Sequence, residues 1–249
     1  MTIDVSTVPF LAGLPDEGRQ AVLACASLIE LAKGKTVFVS GDPADEVYLL
    51  LEGKVKLTRP ARHQPPPLPP LRGKVTVKEL RRRAQAMQVR ESLLWLMGPG
   101  EMFGELSVFD SGHRSTTATA QTPCRVLRIS GSDMRRLVEE RHDVAQALLQ
   151  QMAARLRRSD NQSSRFILSD VPGRLASLLV SLCDRFGTPM GSGWEVAHDL
   201  TQAELAQVVG ASRESVNKAL TDFEQRGILT VQSRTVVIHD LERLTARSN

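Results

Sequence analysis

Between Asp199 and Lys218 the chain reads DLTQAELAQVVGASRESVNK, and no other stretch narrows the fold as far. Thr201, followed three residues later by Glu204, is a capping-box pattern, in which each side chain accepts the other residue's backbone N–H. Leu205, Val208 and Val209 recur at helical spacing and give that helix an apolar stripe. Gly210 ends it, because glycine turns the chain there without a Cβ clash. Ser212 then caps a second helix whose first turns carry Arg213, Glu214 and Lys218. Two short helices about a glycine turn are a helix-turn-helix. Hydrogen-bonding side chains at the start of its second helix are those that reach base edges in a major groove. The pattern implies sequence-specific contact with double-stranded DNA; its bland alternative is a plain helical hairpin.

Charge placement decides how far that reading leans on bulk electrostatics. The net charge is +4 over 249 residues. Residues 171–249 nevertheless hold eight Lys/Arg against nine Asp/Glu, whereas residues 72–90 hold seven Lys/Arg against one Glu. The basic excess therefore belongs to a separate segment, and the case for DNA rests on individual side chains. With 41% hydrophobic residues the chain has room for two domains and a sizeable core. It contains no run of about 18 apolar residues, which argues against a transmembrane helix. The start, Met1-Thr-Ile-Asp-Val-Ser6, lacks the basic-then-apolar order of a signal peptide. Cys25, Cys124 and Cys183 lie far apart and make neither a metal-ligand spacing nor a disulfide framework, and the five histidines are scattered. A cytoplasmic protein with inert thiols and no metal is expected.

Upstream, residues 10–31 read as a short helical lead-in. Short apolar runs follow, punctuated by glycine: 36–39, 46–51, 54–58, 92–97, 116–122 and 125–129. That rhythm suggests an all-β barrel or roll. It is interrupted by Pro65-Pro-Pro-Leu-Pro-Pro70, a polyproline II signal, and by a basic amphipathic stretch in which Val77, Leu80, Ala84 and Met87 share one face. Both read as an insertion in a β-hairpin, either a solvated excursion or an extra contact with DNA phosphates or RNA polymerase. A long helix is expected from about Ser132 to Phe166. Val144, Leu148, Met152 and Arg155, with Leu149 and Leu156, run at coiled-coil-like spacing that asks for a symmetry mate. Asp170–Gly173 reads as a hinge, residues 174–186 as a helix, and Ile228–Val231 with Thr235–Ile238 as a hairpin wing.

A second constellation lies inside the β region. Gly104 lets backbone approach a ligand closely. Glu105, Leu106 and Ser107 open a short helix whose free N–H groups favour an anion. Arg114 offers a fork for phosphate oxygens, Ser115 a hydroxyl, and Glu105 an acceptor for a sugar hydroxyl. Together they suit a phosphorylated sugar such as a cyclic nucleotide. Taken alone, a Gly-Glu turn and a surface Arg-Ser are common, and many such pairs bind nothing. No nucleophile, second acid/base or metal set accompanies Glu105 and Arg114, so no enzyme is expected.

These pieces, Gly104-Glu-Leu-Ser107 with Arg114-Ser115, Asp170-Val-Pro-Gly-Arg174, and Leu200 to Lys218, resemble the cyclic-AMP receptor / fumarate-nitrate regulator family. The resemblance covers almost the whole chain outside the insertion at about 60–90. It is nearest the cyclic-AMP receptor branch, since the N-terminal cysteine cluster of the iron–sulfur branch is missing. It implies an α+β protein: a cyclic-nucleotide-binding β-roll over 1–131, a dimerisation helix over 132–169, and a winged helix-turn-helix over 170–249. It implies a homodimeric transcription regulator controlled by cyclic AMP, with double-stranded DNA and RNA polymerase as partners. Gly104, Glu105, Leu106 and Ser107 would hold the ribose and nearby phosphate, and Arg114 and Ser115 the cyclic phosphate. Ser159 and, from the other subunit, Asp160 would meet the adenine amine; the family more often has a small neutral residue at the latter. Arg213 and Glu214 match guanine- and cytosine-reading positions, and Thr201 and Ser212 match phosphate contacts. Lys218 and Gln202 stand where some members carry arginine. The implied operator is a palindrome of TGTGA-like half-sites about one helical turn, roughly 34 Å, apart. A ligand-independent member or architectural DNA binder with a vestigial pocket is the rival expectation.

Overall fold

The computed structural model describes residues 8–60, 91–110 and 112–248, with backbone alone at 91 and 161–168. The proline-rich and basic stretch expected to form an insertion lies outside the described residues.

The N-terminal half is a roll of two antiparallel four-stranded sheets. One has the order β1-β8-β3-β6, from Ala26–Leu31, Cys124–Ser130, Glu46–Glu52 and Met102–Phe103. The other has the order β2-β7-β4-β5, from Thr36–Phe38, Thr117–Ala120, Val55–Pro60 and Glu91–Met97. The β4–β5 ladder runs out to Pro60 opposite Glu91. Strand alternation explains how the first sheet is covered on both faces. Tyr48 and Leu50 point into the roll with Phe38, Leu57, Phe103 and Val126. Val47, Leu49 and Leu51 point the other way and pack beneath helices.

Those helices are α1 (Pro9–Ala12), α2 (Asp16–Ala24), α4 (Gly131–Glu140) and α5 (His142–Leu168); α3 (Leu106–Phe109) is a single turn within the roll. The expected lead-in helix over 10–31 is shorter than read: its last 6 residues are β1, paired with β8 about a hundred residues away. The single helix expected over 132–166 is two. Arg141 takes an extended conformation between them, and its guanidinium grips Asp143. Neither glycine nor proline marks that break.

The packing of α5 also differs from the coiled-coil reading. Val144 and Leu148 are buried against the roll of the same chain, and Met152 packs beside them. Leu149 and Leu156, seven residues apart, stay 66% and 62% exposed. The expected stripe thus splits into a self-packing face and a second, uncovered apolar line.

The C-terminal unit has its own core, from Leu175 through Leu244, which also takes in Leu93 and Leu96 of β5. It comprises α6 (Val171–Phe186), β9 (Gly187–Met190), β10 (Gly193–Ala197), α7 (Gln202–Val209), α8 (Arg213–Gln225), β11 (Leu229–Gln232), β12 (Thr235–Ile238) and α9 (Leu241–Arg247). The hinge expected at 170–173 is a helix start. Asp170 accepts the Gly173 N–H, Pro172 sits in the first turn, and Arg247 clasps the Asp170 carboxylate at 2.6 Å. The wing hairpin β11–β12 is present and belongs to a four-stranded sheet of order β11-β12-β10-β9, whose β9–β10 half the sequence reading did not anticipate.

Candidate functional site

In the roll, Gly104 has φ +81, and a Cβ there would lie 2.6 Å from Nη1 of Arg114. Only glycine fits both the left-handed conformation and the close approach of that arginine. A surface Arg-Ser was the bland alternative at this position, and Arg114 departs from it at 3% exposed. Its guanidinium lies 4.3 Å over the Phe38 ring and donates to the Gly104 and Glu46 carbonyl oxygens, each at 2.7 Å. Flat stacking on an aromatic face suits guanidinium and would not suit an ammonium. Nε of Arg114 is buried without a partner among the described residues.

Glu105 is likewise 3% exposed and caps α3 in sequence order. Its Oε1 accepts from Arg155 of α5 at 2.6 Å, while Oε2 is buried with no partner among the described residues. Burial raises its pKa above the usual carboxylate range, and the Arg155 and Arg114 charges counter part of that rise. Ser107 is buried, and its hydroxyl donates to the His113 carbonyl at 2.9 Å. Leu106 and Ser115 are exposed, the latter beside the buried Arg114. Ser159 and Asp160 are exposed on α5, one turn beyond Arg155. The chain thus brings Gly104, Glu105 and Arg114 together and leaves Ser115, Ser159 and Asp160 at the surface.

Arg155 is the residue that sequence reasoning misplaced. Periodicity assigned it to a helix–helix seam, whereas the fold turns it onto Glu105. Its signal was weak: a cation in an otherwise apolar stripe. Three residues on, Arg158 reaches Glu101 at 3.3 Å, and Glu101 also holds Arg185 of α6 at 2.6 Å. One helix face therefore touches the Glu105 neighbourhood and, through Glu101, is linked to the C-terminal unit.

The helix-turn-helix follows its local signals. Thr201 accepts the Glu204 N–H and Glu204 accepts the Thr201 N–H, so both halves of the capping box form. Gly210 has φ 62 and ψ 46, the left-handed cap. Ser212 accepts the Ser215 N–H and starts α8. Val216, Ala219, Leu220 and Phe223 bury one face, leaving Arg213, Glu214 and Lys218 exposed on another. Gln202 ties the two helices together through Asn217 at 3.1 Å.

The start of α7 is also moored to the roll. Lys56 meets Glu204 at 3.1 Å, Lys54 meets Asp199 at 2.6 Å, and Gln207 accepts the Leu93 N–H at 3.0 Å. Burial pushes the Glu204 carboxyl up, but the Thr201 N–H and Lys56 bring it to a net value below the usual range. Among the described residues no group of His, Cys, Asp and Glu could hold a metal ion, and no helix is long and apolar enough to cross a membrane.

A roll holding a buried arginine and glutamate across a left-handed glycine, joined to a winged helix-turn-helix with a polar recognition face, defines a DNA-binding regulator with a nucleotide-binding domain. Comparison with known proteins agrees. Residues 173–247 match the Crp-like helix-turn-helix domain and residues 72–141 the cyclic nucleotide-binding domain. A CRP-like cAMP-activated global transcriptional regulator of Mycobacterium tuberculosis is 41% identical over 220 residues, 88% of this chain and 87% of that one. A solved CRP-family transcriptional regulator from Thermus thermophilus superposes with TM-score 0.65 at 24% identity, covering 88% of this chain and 96% of that one. A c-di-GMP responsive global regulator from Xanthomonas campestris gives 0.69 at 23%, covering 90% and 99%. The two structures share the fold. The chain belongs to the cyclic-AMP receptor / fumarate-nitrate regulator family of DNA-binding transcription regulators. Its relatives are regulators, and no catalytic family is indicated.

Proposed function

We propose that the chain works in the cytoplasm as a homodimer whose affinity for a palindromic, TGTGA-like operator is set by cyclic AMP held in the roll. The observation that carries the ligand half is the burial of Glu105 and Arg114 beside Gly104, with one unpartnered acceptor on the first and one unpartnered donor on the second among the described residues. Oε2 of Glu105 suits a ribose hydroxyl, and the Arg114 fork suits the cyclic phosphate once it leaves the two carbonyl oxygens. The backbone of Gly104, Leu106 and Ser107 and the Ser115 hydroxyl complete the cradle. When bound, the nucleotide would supply a singly charged ring phosphate and a base. Ser159 and the second subunit's Asp160 would receive the adenine amine. The exposed Leu149–Leu156 line supports pairing of two α5 helices.

In the DNA half, Arg213 would take guanine O6/N7 and Glu214 would accept from cytosine N4. Lys218 and Gln202 stand where some members carry arginine and would contact the duplex, and Thr201 and Ser212 would face phosphates. The units so used are a roll to residue 131, a dimerisation segment over 132–169 whose long helix is α5, and a DNA-binding domain from 170. RNA polymerase is the further partner proposed.

Binding can shift the molecule only by its differential affinity for two arrangements. The anchoring of α7 on the roll through Lys54 and Lys56 is the contact that such a shift would remake. The decisive experiment titrates cyclic AMP and cyclic GMP against protein bound to a labelled palindromic duplex at several salt concentrations. Tighter binding with cyclic AMP is expected. The engagement of Arg114 with two backbone carbonyls favours one rival, a ligand-independent regulator with a vestigial pocket. Calorimetry with cyclic AMP and no heat of binding would establish that rival.

A further inference from the structure

Between the roll and the C-terminal unit lies a cavity of about 360 Å³ that neither half of the proposed function uses. The α6 helix lines it with Arg174, Ser177, Ser181 and Arg185, spaced three to four residues apart on one helical face. Trp95 of β5 and Arg158 of α5 also face it, and aliphatic side chains of β5, α6 and α7 make up most of the rest.

Three buried polar atoms with no hydrogen-bond partner among the described residues belong to side chains of this one cavity: Trp95 Nε1, Arg158 Nε and Ser177 Oγ. Ser177 itself is only 3% exposed. Native interiors hold few such atoms, and their gathering at one place asks for a partner. Indole N–H and guanidinium N–H are donors only, and a hydroxyl can donate. The complement is therefore an acceptor. The charge around it leans the same way: Arg158, Arg174 and Arg185 stand against Asp184 and against Glu101, which holds both Arg158 and Arg185. Ligand pockets are typically about 300–1,000 Å³, mostly apolar, with a few placed polar groups. A cavity near the lower end has room for on the order of ten non-hydrogen atoms, counting about 30 Å³ for each water-sized unit.

We infer that this seam cavity binds an amphipathic organic anion, an aliphatic carboxylate of about ten carbons. The carboxylate meets the Arg158 side chain, which is 38% exposed, and the chain lies along the apolar walls. Because the walls come from both units, occupancy and the relative arrangement of the units are coupled, and the coupling is reciprocal.

Calorimetry on the full-length protein, without nucleotide or operator, tests this separately from the cyclic AMP reading. Decanoate is expected to bind at one saturable site per chain, and decanol and butyrate at least tenfold more weakly, the first for want of charge and the second for want of apolar contact. Ser177→Phe, which fills the cavity, and Arg158→Leu, which removes the cation at a partly exposed position, are each expected to weaken decanoate at least tenfold. If Ser177→Phe does not fold, Arg158→Leu and the decanol comparison still decide the matter. Absence of saturable decanoate binding, equal binding of decanol, or unchanged affinity in Arg158→Leu would overturn the inference.

Discussion

Arg114 and Arg213 carry the same guanidinium group in opposite settings. Arg114 is enclosed by Phe38, Tyr48 and two carbonyl oxygens, whereas Arg213 stands in solvent on a helix fixed by the Ser212 cap. In the roll the chemistry is part of the core; its groups hold one another and the fold together. In the helix-turn-helix the chemistry is mounted on a scaffold that keeps its shape without those side chains. A change in the roll should therefore alter stability and ligand response together, while a change on α8 should alter recognition alone.

The sharpest break of that contrast is Arg114→Ala. It removes two charge-assisted hydrogen bonds and the stacking on Phe38, and a loss of about 2–4 kcal/mol in stability is expected, with loss of any operator response to cyclic AMP. Chemical denaturation and duplex titration on the same sample measure both. An unchanged denaturation midpoint would mean that the roll's arginine is a mounted group after all.

Burial rather than domain is the proposed cause, and His198 sharpens the point, since it is a buried group of the C-terminal unit. Burial depresses its pKa from 6.5 to about 4, and its Nδ1 accepts the Leu200 N–H at 3.0 Å, a bond that only the neutral ring can make. The unfolded chain therefore binds the proton first. Stability is complete above pH 6.5 and falls as the pH drops through that window towards about 4, by on the order of 3 kcal/mol at about 1.4 per pH unit. Thermal unfolding followed over this range should show a slope that His198→Asn lacks.

On the exposed side, Arg213→Ala is expected to cost about 1–3 kcal/mol of preference at one base position. The melting temperature should stay within the change of about 0.5 kcal/mol typical of surface sites. Binding to a panel of single-base operator variants reads the first, and calorimetric melting the second. A smaller effect belongs to Ser212→Ala, which removes the α8 cap and should destabilise by about 1 kcal/mol without redirecting base preference. A change of preferred sequence in that variant would show that the cap also reads DNA.

How much of this could be read from the amino-acid order follows the range of the interactions. Thr201 with Glu204, Gly210 and Ser212 act on backbone within three or four residues, and each does in the fold what its local pattern implied. The Arg141 break and the β1 strand carried no such punctuation, and the β9–β10 hairpin carried only turn residues, with Gly191 in the left-handed conformation, that do not say which strand lies beside it. The β1 strand owes its state to a partner about a hundred residues on, and β10 pairs with β12 some forty residues later. Arg155 shows the same limit within a site. Heptad spacing puts it with Val144, Leu148 and Met152 correctly, but spacing does not say that this face meets the chain's own roll and not a second helix.

Residue order was enough for the two-part architecture, the helix-turn-helix with its caps, and the residue types able to meet a phosphate and a base edge, because these depend on helix period, strand alternation and local hydrogen bonds. The folded chain was needed to show that Arg114 and Glu105 are core residues, that Arg155 answers Glu105, and that a cavity whose side chains include three buried polar atoms unpartnered among the described residues opens between the units. Those outcomes turn on which distant surfaces exclude water from one another, and a linear pattern records a residue's preference for burial without recording its neighbour.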